Sequence, residues 1–202
     1  MIRNLIFDLG GVIIFLDPVK AEKRFKEVGL DEICKSLDIY AQGGLFGELE
    51  RGRVTADEFC QQLHLTYEQA QYAWMGYLKE VFQPGLDLIQ SLREKYNIYI
   101  LSNTNEILMS WGHSDDFAPS GHSIDYYVDK VYTSYELKEY KPDAAIFQKM
   151  LDDSGINPTE TLFVDDALPN IKTAEEMGFH TLLTETNSDW RTDLQKKLTQ
   201  LG

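Results

Sequence analysis

Ile2-Arg3-Asn4-Leu5-Ile6-Phe7-Asp8-Leu9-Gly10-Gly11, at the head of a 202-residue chain, reads as a short buried strand. The apolar run Leu5-Ile6-Phe7 is too brief for a helix, and a glycine pair closes it. A carboxylate, Asp8, stands where the strand ends. The same grammar recurs further along. Ile98 to Leu101 is a strand followed by Ser102-Asn103-Thr104-Asn105, Val131-Tyr132-Thr133 is a short strand, Thr161 to Asp165 runs into Asp166, and His180 to Leu183 is the last. Helices separate them. One starts at Pro84-Gly85 and bears Leu88, Ile89 and Leu92. A second covers Asp143 to Asp153, with Ile146, Phe147, Met150 and Leu151 inward and Gly155 closing it. A third ends at Met177 with Gly178 at its C′ position, and a final one is lined by Trp190, Leu194 and Leu198. Residues Trp111 to Asp125 read as an irregular polar connection. Strand and helix in alternation predict an α/β fold, a Rossmann-like parallel sheet with helices on both faces.

Between the first strand and the rest lies a different texture. From about Leu16 to Gln83 the pattern is helical and polar, with no strand-like alternation. Phe25, Val28 and the pair Ile33/Leu37 fall at helix spacing, and Thr55-x-x-Glu58 is a capping box ahead of Phe59 and Leu63. Gly43-Gly44 and Gly47 mark a loop there, with Glu48, Glu50 and Arg51 beside it, read as the cap loop over the site or a plain helix-helix turn. The expectation is an all-helical cap domain, residues 16–83, inserted into a core domain made of residues 1–15 and 84–202.

Composition bounds the partners. Lys+Arg 19 against Asp+Glu 33 gives a net charge of −14. No dense basic run exists to displace counterions, so nucleic acid is excluded as a partner, and an acidic chain is a poor ligand for an anionic membrane. A phosphorylated small molecule stays compatible, because a metal ion offsets carboxylates locally. Cys34 and Cys60 are the only cysteines and form no C-x-x-C. Buried thiols in a reducing cytoplasm are expected. The apolar run before Asp8 is too short for a signal sequence, and no apolar run of about 18 residues occurs. His113, Asp115, Asp116 and His122 share a loop without zinc-ligand spacing and read as solvated.

Ligands of open parallel sheets bind beyond the C-terminal ends of the strands. The chain places Asp8, Ser102 and Asp165-Asp166 at such ends, and Lys141-Pro142 precedes the helix between the last two. Singly, each has an ordinary explanation as a turn or cap residue. Together they bring three carboxylates, a hydroxyl and an ammonium to one edge. Clustered carboxylates repel unless a divalent cation sits among them, and an all-oxygen set suits Mg²⁺. Asp8 can then serve as ligand and as nucleophile, with Ser102 and Lys141 on phosphate oxygens.

The motif set resembles that of the haloacid dehalogenase-like hydrolases that carry a helical cap, over nearly the whole chain. The first motif is Leu5-Ile6-Phe7-Asp8-Leu9-Gly10-Gly11, and the second is Ile100-Leu101-Ser102-Asn103. The third is Ser134-Tyr135-Glu136-Leu137-Lys138-Glu139-Tyr140-Lys141-Pro142, with Lys138 where the family has glycine. The fourth is Phe163-Val164-Asp165-Asp166-Ala167-Leu168-Pro169-Asn170. The resemblance implies a phosphatase in which Asp8 attacks phosphorus. Mg²⁺ would be held by Asp8, the Gly10 carbonyl and Asp166. Asp165 would orient Lys141 or a metal-bound water, Asn170 would support the metal shell, and Gly11, Ser102, Asn103 and Lys141 would bind the phosphate.

One departure matters. Most family phosphatases carry a second Asp two residues after the nucleophile, as proton donor and then acceptor; here that position is Gly10. Loss of such a group is worth about 10²–10⁴ in rate. The Asp-Leu-Gly pattern is similar to that of the family's sugar-1-phosphate phosphatases, whose anomeric leaving group departs more readily without a proton. Asp17, before Pro18, is a candidate substitute or a plain turn residue. Two other readings stay open at this point: a non-catalytic or phosphotransfer member, and a haloacid dehalogenase. The physiological substrate and the oligomeric state are not readable from the sequence.

Overall fold

The computed structural model describes residues 1–31 and 43–202. Five strands form one parallel sheet in the order β5-β4-β1-β6-β7. They are β1 (Asn4–Phe7), β4 (Asn97–Ser102), β5 (Lys130–Thr133), β6 (Thr161–Asp165) and β7 (His180–Leu183). β1 lies at the centre, paired with β4 through Phe7↔Ile100 and with β6 through Phe7↔Val164. The chain fills one side of β1 and then the other. A crevice therefore opens at the C-terminal ends of β4, β1 and β6.

Strand alternation splits the core in two. Leu5, Phe7, Ile98, Ile100, Leu162 and Val164 point to a cluster that includes Leu86 and Ile89 of α5 (Gln83–Leu92) and Leu194 of α10 (Arg191–Leu201). Ile6, Leu101 and Phe163 point the other way. There they meet Ile146, Phe147 and Met150 of α8 (Ala144–Ser154) and Ile171 and Ala174 of α9 (Leu168–Glu176). The expected parallel sheet with helices on both faces is what forms. α6 (Glu106–Gly112), capped by the Asn105 side chain on the Leu108 N–H, takes in residues read as irregular from Trp111. A single seven-residue helix with one Asn cap carries too little periodicity to stand out.

The segment between β1 and α5 departs from its reading in two places. β2 (Ile14–Leu16) and β3 (Leu78–Val81) pair antiparallel at the base of the inserted helices, where no strand was expected. Strands of three and four residues give alternation no length to register. Between them lie α1 (Pro18–Glu27), α2 (Gly44–Glu50), α3 (Ala56–Leu63) and α4 (Tyr67–Trp74). The glycines read as a loop at 43–47 instead start a helix, because Phe46 and Leu49 bury against Phe25, Phe59 and Trp74. Packing outweighs glycine's poor propensity there. The Thr55 capping box forms as expected. Cys60 is buried with a free thiol, whereas Cys34 and the Ile33/Leu37 pair lie outside the described residues. Among the described residues no helix is long and apolar enough to cross a membrane.

Candidate active site

Asp8 follows directly on β1, its N–H donating to the Val164 carbonyl (2.9 Å) and its Oδ1 accepting from the Leu9 N–H (2.7 Å). Lys141 reaches it from the loop after α7 (Ser134–Leu137). Its ammonium sits 2.9 Å from Asp8 Oδ1 and 2.7 Å from Asp165 Oδ2, with 1% of the side chain exposed. Asp165, at the end of β6 and fully buried, also takes both oxygens' worth of the Asn170 amide (3.1 and 3.0 Å) and the Ala167 N–H (2.7 Å). Asp166 receives the Thr186 hydroxyl at 2.6 Å. Oxygens of Asp8, Asp165 and Asp166 lie within 4.8 Å of one another.

Three carboxylates around one ammonium leave an excess of negative charge in a buried place. Burial pushes the Asp8 carboxyl up to about 7, with Lys141 pulling it partway back and Asp165 and Asp166 adding to the rise. Burial likewise raises Asp166, against the Thr186 hydroxyl. Burial works against the Lys141 ammonium too, but Asp165 and Asp8 outweigh it and hold its pKa above the usual lysine value. A compact all-oxygen donor set short of positive charge fits a hard divalent cation of the size of Mg²⁺.

Gly11 makes the close approach possible. It adopts φ +77, and a Cβ there would collide with the Asp166 carboxylate. Gly10 is different: a Cβ would meet only the Leu16 side chain, Cδ1 at 3.6 Å and Cδ2 at 3.8 Å, with no left-handed backbone to oppose it. Position 10 therefore accepts a Cβ at ordinary van der Waals distance.

Ser102 is buried at the end of β4 and lines the same cavity as Gly10 and Asn103. The Asn103 amide is spent on Lys141. Its Nδ2 donates to the Lys141 carbonyl (2.9 Å) and its Oδ1 accepts the Lys141 N–H (2.8 Å). Lys138, where the resemblance expects glycine, takes φ +55. A left-handed non-glycine residue costs about 1–2 kcal/mol, which accounts for the family's preference. Asp17 caps α1 through the Lys20 N–H (2.9 Å). Among the described residues His113 pairs with Asp125 (2.7 Å), and that loop joins no group of three or more metal-ligating side chains.

Sequence reasoning passed over two contributors and gave a third no contact. Thr186 follows β7 and reads as an ordinary loop threonine. Tyr140 looks like filler in the third motif, yet its hydroxyl donates to Glu50 Oε2 at 2.8 Å. Glu50, expected only as a neighbour of the glycine loop over the site, is 6% exposed. Its carbonyl accepts the Ser134 hydroxyl at 2.6 Å, tying α2 to the segment that carries Lys141.

Comparison with known proteins gives the chain's family. Residues 2–178 match a family model described as a haloacid dehalogenase-like hydrolase. A D-ribitol-5-phosphate phosphatase of Bacteroides thetaiotaomicron is 45% identical over 96% of this chain and 97% of its own. A HAD-like hydrolase from Porphyromonas gingivalis superposes with a TM-score of 0.93 at 42% identity, covering 98% of both chains. A HAD family enzyme of Bacteroides thetaiotaomicron, solved with magnesium and inorganic phosphate, gives 0.87 at 36% identity, over 95% of this chain and 98% of that one. The chain belongs to the haloacid dehalogenase-like hydrolases.

Proposed function

We propose that the protein cleaves the phosphate ester of a small hydroxylated metabolite through an aspartyl-phosphate on Asp8, with residues 16–83 acting as a cap over the site. It is a phosphoric monoester hydrolase, and Mg²⁺ is its cofactor. The observation that carries the reading is the buried Lys141 ammonium bridging Asp8 and Asp165, with Asp166 in reach of both. Asp8 Oδ forms a bond to phosphorus as the ester oxygen leaves. Water then displaces the carboxylate, releasing inorganic phosphate and restoring Asp8. Lys141 and Ser102 bear on the phosphoryl oxygens, and Gly11 lets the backbone come close. Asp165 and Asn103 hold Lys141 by its two ends. Asp8, the Gly10 carbonyl and Asp166 would hold the ion, whose charge, once bound, offsets the carboxylates and the phosphoryl oxygens. Chemistry of this kind in an acidic, cysteine-poor chain suits the cytoplasm.

The metal assignment separates the two adjacent carboxylates. Asp165 already satisfies Lys141, Asn170 and the Ala167 N–H, whereas Asp166 has one hydroxyl partner. Titration calorimetry with Mg²⁺ is therefore expected to show Asp166→Ala weakening affinity by at least about tenfold more than Asp165→Ala. Equal losses would move the ligand assignment by one residue.

The empty position at Gly10 sets the leaving-group preference. Without a carboxyl to protonate the departing oxygen, the rate should rise steeply as the leaving alcohol becomes more acidic. Aryl and anomeric phosphates are then turned over faster than alkyl phosphates. This favours sugar 1-phosphates, while the relative named for ribitol 5-phosphate favours an ester of a primary alcohol. A Brønsted series covering both classes decides between them. Gly10→Asp, at a position that accepts a Cβ, is expected to flatten the slope and to raise the alkyl rate by about 10²-fold or more. A flat series in the unaltered protein would mean that another group already supplies the proton.

A further inference from the structure

The cavity beside the phosphate site has one wall of core residues, Gly10, Ser102 and Asn103, and a second wall from the inserted helices that includes Glu50 and Trp74. Leu16, Leu108 and Met109 make much of the remainder apolar. Glu50 and Trp74 share an unusual property there. Both are buried, at 6% and 1% exposure. Glu50 Oε2 takes the Tyr140 hydroxyl, while no donor reaches Oε1 among the described residues. Trp74 Nε1 has no acceptor among the described residues. A buried indole N–H without a partner is costly and uncommon. Trp74 is among the residues that line a cavity, which also offers a half-used carboxylate.

We infer that Glu50 and Trp74 form a hydroxyl-recognition pair, which selects esters of polyols or sugars by accepting from and donating to hydroxyls of the substrate's alcohol portion. The inference rests on the phosphatase reading above and names the side chains that set its specificity. A hydroxyl is a neutral group that can donate to a carboxylate and accept from an indole at once. An alkyl chain in the same cavity would leave both unpaired, and a site built for hydroxyls rejects analogues that lack them far more strongly than an apolar site discriminates by size. Burial pushes the Glu50 carboxyl up to about 7 in spite of the Tyr140 hydroxyl. A ligand bringing further donors would relieve that burial. The pair also sits where it can be read. Glu50 is anchored to the Lys141 segment through Tyr140 and Ser134, and Trp74 is wedged among Phe25, Phe46, Phe59 and Tyr77.

The test compares ribitol 5-phosphate with n-pentyl phosphate, two primary alkyl esters that differ in hydroxyls and hardly in leaving-group chemistry. The wild-type ratio of kcat/KM should exceed about 10² in favour of the polyol. Glu50→Gln, which keeps the shape and an acceptor for Tyr140, is expected to lower that ratio at least tenfold, chiefly through KM for ribitol 5-phosphate. Trp74→Phe should do the same. Thermal melts report on its folding, and Glu50→Gln carries the test if the smaller ring unfolds the protein. A ratio that does not move in Glu50→Gln overturns the pair. A wild type that hydrolyses both esters equally also overturns it, leaving the phosphatase reading in place. A wild type inert toward both esters and toward aryl phosphates overturns the phosphatase reading and the pair with it.

Discussion

Asp8→Asn is expected to abolish turnover, with kcat falling by about 10⁴-fold or more, because in the proposed mechanism one change removes the nucleophile and a carboxylate ligand together. The amide is nearly isosteric, so the Leu9 N–H keeps an acceptor and the fold has no reason to fail. Stability should move in the opposite direction from activity. The folded-state pKa of Asp8 is raised by burial from 3.8 to about 7. Folding therefore favours its protonated form. Whatever stability that form contributes is fully present below about pH 4 and is lost as pH rises through 7. An uncharged Asn escapes the loss. In metal-free protein at pH 8 the variant should melt at or above the wild-type temperature. Residual activity above a few per cent of wild type would reject Asp8 as the nucleophile.

Lys141→Ala should be costly on both counts. The ammonium is the shared counter-charge of two buried carboxylates, 2.9 Å from Asp8 and 2.7 Å from Asp165. Removing one partner of a buried ion pair costs about 3–5 kcal/mol, because the charges left behind stay desolvated. Removing a donor aimed at the developing phosphoryl charge costs about 10²–10³ in rate, and displacement of Asp8 adds to that. The expected result is a clear drop in melting temperature and a fall in kcat/KM of about 10³-fold or more. Lys141→Met, which keeps the aliphatic volume, should recover part of the stability and none of the rate. Unchanged kcat/KM in either variant would reduce Lys141-Pro142 to a turn.

The sheet and the residues at its edge were legible for one reason. A buried parallel strand is an uninterrupted apolar run, so a polar residue at its end stands out. Asp8, Ser102 and Asp165-Asp166 announce themselves in that way, and β6 and β7 have the bounds expected of them. Lys141 needed the third motif, since nothing local separates a buried lysine before proline from a surface one. The β2–β3 pair escaped because its register rests on contacts between residues some sixty positions apart. α2 escaped because its glycines argue locally against the helix that Phe46 and Leu49 stabilise from a distance. Trp74, and the burial of Glu50, escaped for the same cause. Burial of a carboxylate within a polar helix, or an indole N–H without an acceptor, is a property of the folded packing and leaves no periodic trace.

Phosphate release from p-nitrophenyl phosphate by the purified protein, with Mg²⁺ and again after chelation, tests the central claim most directly. Turnover in Mg²⁺ that falls to background with chelator and returns on adding the ion back is the predicted result. Release that is indifferent to the metal, or none in its presence, would contradict a Mg²⁺-dependent phosphatase built on Asp8, Lys141 and Asp166.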